Sequence, residues 1–281
     1  MRKILFLILM LSVFLLKEVF AFGIEIEPKM AAQGRSLCVK VVSAEGMGKI
    51  EGQFLGQTIP FYKNGSDFKG VVGIPMEQAV GSFSFALNLT DPNGQINHRI
   101  FPLKVIKTKF PLSYYWLKPT KKKLLARDLI NEEWARIEKK IVAEDPAQHW
   151  RGKFALPVKG EISQLFGSTT VINGKKGGSH RGLDIAVPIG TRVLAPNEGR
   201  VVFAEKLKAF GGTMVLNHGQ GIYTLYFHLS KFLRRVGEAV GEGEAIALTG
   251  NSGISSGPHL HWGMSVHNLR VDPLQWTKQA F

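Results

Sequence analysis

Six of the eight histidines lie between positions 180 and 267, and they fall into short pieces with chemical potential. In His180-Arg181-Gly182-Leu183-Asp184 an imidazole and a carboxylate stand four apart, either side of a glycine, and can converge on one point. Neutral imidazole nitrogen and carboxylate oxygen are donors that suit a divalent zinc ion. In Gly257-Pro258-His259-Leu260-His261-Trp262 two histidines are separated by one residue. On a strand such residues share a face, so both imidazoles address one site while Leu260 turns into the core. Two adjacent imidazoles repel if both are protonated, so the pair makes sense with one as a metal ligand and the other exchanging a hydrogen bond with substrate. Tyr226-Phe227-His228 reads as a third strand piece, whose alternation places Tyr226 and His228 on one face. Taken singly, each piece also fits an ordinary surface or half-buried polar position.

As a set, His180…Asp184, His228 and His259-Leu260-His261 resemble the lysostaphin-type (LytM-like) zinc endopeptidases of bacterial cell walls. The flanking text is similar too: Gly182-Leu183-Asp184-Ile185-Ala186, Gly190-Thr191-Arg192-Val193-Leu194-Ala195-Pro196 and Asn217-His218-Gly219, with the motifs in order over about residues 156–276. The resemblance implies one zinc ion per chain, held by His180, Asp184 and His261. It implies that His228 and His259 stand beside the metal as general base and oxyanion stabiliser, in an order the sequence leaves open. It also implies a peptidoglycan substrate, cut in its peptide stems or cross-links, and a compact all-β fold like the duplicated hybrid motif. His218 matches a position outside the metal shell and is expected to be structural. One departure stands out: Phe166-Gly167-Ser168-Thr169 lacks an arginine that the family often carries there, and Val171 to Ser179 reads as a polar loop at the edge of the substrate groove.

These residues need a scaffold. Residues 151–281 show short apolar runs such as Val201-Val202-Phe203 and Ala245-Ile246-Ala247-Leu248 between frequent glycines, the pattern of short strands and tight turns. Residues 22–107 alternate in Ile24–Glu27 and in Ser82–Leu89, and carry turn signals at Lys63-Asn64-Gly65-Ser66 and Asp91-Pro92-Asn93-Gly94. An Ig-like β-sandwich is expected there. Between them, residues 108–150 are expected to form a connector with an amphipathic helix. Leu125, Leu129, Ile130, Trp134, Ile137 and Ile141 recur at helical spacing, Glu132 and Arg136 can pair across one turn, and Asp145-Pro146 stops the helix. The fold class is therefore mainly β.

At the start, Arg2 and Lys3 precede an apolar run from Ile4 to Leu16, and Val19-Phe20-Ala21 offers a processing site. That run is short of the roughly 20 residues a membrane-spanning helix needs. Residues 1–21 are expected to be a cleaved signal peptide, with export to the periplasm or the cell exterior and no stable membrane span afterwards. The net charge is +14, of which Arg2, Lys3 and Lys17 against Glu18 supply +2. A basic exported chain is attracted to anionic envelope polymers. The cations are dispersed and no nucleic-acid motif accompanies them, so nucleic acid is not expected as a partner. A single cysteine, Cys38, in the run Leu37-Cys38-Val39, allows no internal disulfide and is expected to be buried in a strand. The reading is thus an exported zinc endopeptidase. The alternative is a wall-binding protein or activator of another hydrolase, a class that typically loses metal ligands; the ligand set here is complete.

Overall fold

A computed structural model describes residues 22–142 and 145–281; the expected signal peptide lies outside the described residues. Residues 22–106 form two sheets. One has four strands in the order Gly23–Glu27, Ser36–Val42, Asp67–Gly73, Tyr62–Asn64. The other has five, in the order Ala31–Ala32, Ile96–Ile106, Gly81–Thr90, Lys49–Phe54, Gln57–Pro60. They share one core, in which Leu37, Val39 and Val41 meet Ile50, Phe54, Phe85, Leu87 and Leu103. Asp91 organises the turn between the two long strands, its carboxylate accepting from the backbone N–H groups of Asn93 and Gln95.

The four-stranded sheet is buried on its other face as well. Cys38 and Val71 pack there with Trp150, Phe154, Met264, Val266 and Trp276 from the C-terminal half. Burial on both faces removes the need for alternation, which is why Leu37-Cys38-Val39 reads as a continuous apolar run. It also pushes the Cys38 thiol up to about 11. Polar contacts reinforce the join: the Gln275 side chain bonds both backbone groups of Ser36, at 2.7 and 2.8 Å, and Arg35 pairs with Asp272 at 2.8 Å.

The connector departs from a single helix. A turn of helix over Pro119–Lys122 runs into a 3₁₀ turn over Lys123–Leu125, Ala126 breaks the chain direction with φ −58° and ψ 123°, and the main helix spans Arg127–Ile141. It ends before Asp145-Pro146. Ile137 and Ile141 are buried against Phe203, Val215, Tyr223, Leu225 and Phe227, so the helix docks on the back of the C-terminal sheet. Arg136 pairs across to Glu205 rather than to Glu132. Glu133 is buried and accepts the backbone N–H groups of Lys208, Ala209 and Phe210 at 2.6–3.3 Å.

The C-terminal half is built on a large sheet with the order Glu161–Gln164, Leu183–Ala186, His259–Val266, Ile222–Leu229, Gly212–Gly219, Gly199–Lys206, Ala239–Val240. The two strands Gly212–Gly219 and Ile222–Leu229 are buried at every position. A smaller sheet of Arg192–Leu194, Ala245–Leu248 and Lys231–Phe232 packs nearby. The half is not purely β, because Pro273–Lys278 is helical. Its start was legible: Asp272 caps it by accepting the Leu274 N–H at 2.9 Å, and Pro273 follows at the first helical position.

The expected loop from Val171 to Ser179 is instead a hairpin. Thr169–Ile172 pairs with Lys175–Ser179 across Asn173-Gly174, whose φ values of 50° and 78° are those of a tight I′-like turn. A connector strand, Leu112–Tyr115, runs parallel to Thr169–Ile172 and completes a three-stranded sheet.

Candidate metal centre

Cross-strand register assembles the centre. Asp184, on Leu183–Ala186, lies directly opposite His261 on His259–Val266. His180 precedes Asp184 and is pinned through its backbone: its N–H donates to the Ser168 carbonyl at 2.9 Å, and its carbonyl accepts the Gly167 N–H at 2.8 Å. Three atoms then meet. His180 Nε2 is 3.0 Å from Asp184 Oδ1 and 2.9 Å from His261 Nδ1, and His261 Nδ1 is 2.8 Å from the same Oδ1. These residues can hold a metal ion with one ligand atom each, all within 4.8 Å of one another. Two imidazole nitrogens and a carboxylate oxygen form a donor set that fits zinc and leaves a coordination position over.

Gly182 is required by close approach. A Cβ there would stand 2.5 Å from His261 Nε2 and 2.7 Å from the Trp262 carbonyl. On its flat side the His261 ring stacks on Phe227, with centroids 5.0 Å apart and planes 6° from parallel.

His259 and His228 complete the cluster. As the alternation predicts, His259 shares the His261 face, while Leu260 and Trp262 enter the core on the other. His259 Nε2 is 3.7 Å from Asp184 Oδ2. The His228 and His259 ring centroids are 4.7 Å apart. The alternation expected for Tyr226 and His228 fails. Tyr226 faces the core with Trp262, and Phe227 is the residue that faces His261. His228 reaches the centre because its backbone turns over, with φ 63°. That costly conformation is held by its N–H donating to Phe210 and by Gly250, where a Cβ would stand 2.5 Å from the His228 carbonyl.

Backbone carbonyls assign the tautomers. Nδ1–H of His180 donates to Leu165 at 3.1 Å, that of His228 to Ser252 at 2.8 Å and that of His259 to Gly257 at 2.9 Å. A carbonyl only accepts, so in each neutral ring Nε2 keeps its lone pair and is aimed by the bond on its opposite side. Burial opposes the charged imidazolium and holds His228 well below the usual histidine range; His259 and His261 add to this. Burial likewise takes His261 down to about 4. For Asp184 burial acts upward, but at acid pH the charge of protonated His180 and the hydrogen bonds that His180 and His261 then donate outweigh it, so the carboxyl stays well below the usual carboxylate range.

The cluster floors an open groove of about 350 Å³. Ser255, Pro258 and Gln164 line it from the C-terminal half, and Ser113, Tyr114 and Tyr115 from the connector. Burial, with the Asp184 charge beside it, pushes the Tyr115 phenol up to about 12. Sequence reading missed the connector's share of this groove; the aromatic triple Tyr114-Tyr115-Trp116 was the available signal. His218 stands apart, fully buried. Its Nδ1–H donates to the Glu198 carbonyl at 2.6 Å, and its Nε2 accepts from Thr224 at 2.8 Å. His267 lies away from the groove, and His98 is exposed beside Asn88.

Residues 178–273 match Peptidase family M23. An uncharacterized metalloprotease of Haemophilus influenzae is 45% identical over 96 residues, 34% of this chain and 20% of that protein. The peptidoglycan DD-endopeptidase ShyA of Vibrio cholerae is 39% identical over 101 residues, 36% of this chain and 24% of that protein. The chain thus spans about a fifth to a quarter of the length of the curated relatives it matches. A crystal structure of a candidate peptidase M23 from Pseudomonas aeruginosa superposes over 91% of this chain and 96% of its own, with a TM-score of 0.66 at 24% identity, a likeness of fold.

Proposed function

We propose that this chain, whose residues 178–273 form a Peptidase family M23 domain, is an exported zinc endopeptidase that hydrolyses peptide bonds in the stems or cross-links of peptidoglycan. One observation carries the reading: three ligand atoms converge on a point beside two aimed imidazole nitrogens, in a groove open to substrate. His180, Asp184 and His261 hold one zinc ion. Bound zinc supplies a water whose pKa is near 7 and polarises the scissile carbonyl.

The protein's own groups do the rest. Paired strands fix Asp184 and His261, and backbone hydrogen bonds to Ser168 and Gly167 pin His180 between strands. Burial keeps His228 and His261 neutral, so their lone pairs are available at neutral pH. His228 and His259 face the groove through Nε2 and share two tasks: one ring takes the proton of the attacking water and passes it on to the leaving amine, and a ring protonated at Nε2 donates to the carbonyl oxygen on which charge develops. Their hydrogen bonds to the Ser252 and Gly257 carbonyls keep both rings aimed while a proton moves. Relatives named for peptidoglycan endopeptidase activity support the substrate class. The dispersed positive charge would hold the enzyme near anionic envelope polymers. Export rests on the pattern of residues 1–21. No helix among the described residues is long and apolar enough to cross a membrane.

The test is to purify the chain, measure its zinc and incubate it with purified wall. About one zinc per chain is expected, with soluble fragments whose new termini, read by mass spectrometry, identify the bond. A chain that takes up no zinc and releases nothing contradicts the reading.

A further inference from the structure

The groove has a wall that the family-matched residues do not supply. The strand Leu112–Tyr115 is laid along Thr169–Ile172 in parallel register, with Leu112 opposite Thr169 and Tyr115 opposite Ile172. Its far end is tied down. The Asn173 N–H donates to the Tyr115 carbonyl at 3.1 Å, and the Asn173 amide bonds both backbone groups of Leu117, at 2.8 and 3.1 Å. Lys121 then donates to the carbonyls of Asn251 and Ser255, both at 2.9 Å, on the loop that leads to His259. The connector therefore runs from the hairpin before His180 to the loop before His259.

Strand alternation decides what this wall presents. Leu112, Tyr114 and Trp116 are 61%, 69% and 76% exposed, with Tyr114 at the groove's rim. Tyr115 points the other way, is half-buried and lines the groove with the four histidines and Asp184. Its hydroxyl makes no hydrogen bond among the described residues, unlike that of Tyr226 in the core, which is bonded to Thr224 at 2.8 Å. The groove's central groups are acceptors: the Asp184 carboxylate and the Nε2 lone pairs of His228 and His259. Nearby donors are already engaged, Ser163 with the Asp184 carbonyl and Ser255 with the Gly257 carbonyl. The Gln164 amide nitrogen is unpaired but sealed from the surface. A peptide carbonyl gaining negative charge needs a donor. Ser113, Tyr114 and Ser256 also line the groove with no side-chain hydrogen bond among the described residues, but Tyr114 is largely exposed, and Tyr115 is the phenol that sits half-buried beside the Asp184 carboxylate.

We propose that the Tyr115 hydroxyl, contributed by the connector, donates a hydrogen bond to the carbonyl oxygen of the scissile peptide as charge builds there. This rests on the peptidase reading above. The test compares the zinc-loaded full chain with Y115F on a soluble cross-linked muropeptide dimer. Phenylalanine keeps the ring and removes only the donor. We expect kcat to fall about 10- to 100-fold with KM within about twofold, in the range reported for single oxyanion donors or just below it. Zinc content and melting temperature stay at wild-type values. A peptide phosphinate, which mimics the tetrahedral centre, should bind Y115F more weakly by a similar factor in calorimetry. Wild-type kcat in Y115F, or a loss confined to KM, overturns the proposal while leaving the peptidase reading standing. A wild-type chain that cleaves nothing overturns both.

Discussion

The floor and the wall of the groove are built differently. The floor is a ladder: Asp184 opposite His261, and His261 opposite Phe227, on strands buried within a large sheet. Its functional atoms are placed by register, and moving one requires a whole strand to slip. The wall is a four-residue strand carried in by the connector, paired along one side with Thr169–Ile172 and tied beyond its end by side-chain bonds from Asn173 and Lys121. A floor of this kind suits metal ligands, which must stay in place. A wall at the edge of a three-stranded sheet can shift without moving the strands that carry Asp184 and His261.

The comparison can be broken most decisively at the floor. His180→Ala removes one of three ligands, and both zinc content and fragment release are expected to vanish. A variant that lost its metal yet still released wall fragments would defeat the mechanism. Next come His228→Ala and His259→Ala, which remove no ligand. Each should keep zinc while kcat falls by roughly 10²–10⁴-fold, the span typical of a lost general acid–base group. Zinc lost along with activity would show that these rings are ligands.

Acid should loosen the floor's sheet through His218. Burial lowers this histidine to about 4 in the folded chain, whereas an unfolded imidazole titrates near 6.5. Above about 6.5 neither state is protonated and the full stability is present. Between about 6.5 and about 4 only the unfolded state binds the proton, so stability falls as pH falls. Melting temperature should drop across that window, and the His218→Gln variant, though less stable at pH 8, should show a shallower decline. Equal slopes would mean that other groups carry the acid sensitivity.

The smallest effect is expected at the wall. Asn173→Gly keeps the left-handed turn and deletes the amide that holds Leu117. Two neutral hydrogen bonds at about 1 kcal/mol each should loosen the Tyr115 strand enough to cost about fivefold in cleavage rate, with zinc unchanged. An effect on zinc content would mean that floor and wall are not separable.

Much of the floor was legible because local chemistry writes it. His259 and His261 alternate with core residues on a real strand, and the His-Arg-Gly-Leu-Asp spacing works because Gly182 leaves room for the His261 ring. Legibility stopped where the backbone leaves its regular pattern or where the partner is distant in sequence. Alternation failed at His228 because a φ of 63° reverses one residue. Val171–Ser179 looked like a loop because its polar, glycine-rich text carries no apolar period, yet Asn173-Gly174 turns it into a hairpin on which the connector strand is laid. Nothing local marks Glu133 as buried, and its partners are three N–H groups some 75 residues away.

From residue types and spacing came the histidine- and aspartate-bearing pieces, the mainly β character and the connector helix, since each depends on neighbours within a few positions; which of those residues would hold a metal came from a family resemblance. Only tertiary structure decided which tautomer each histidine takes, that one sheet is buried on both faces, and that Tyr115 stands over the groove. The tautomers depend on single carbonyls 2 to 24 positions away, and the other two outcomes on contacts made across roughly 50 to 240 positions of chain; such contacts leave no period in the sequence because each is a single pairing fixed by the packing of everything else.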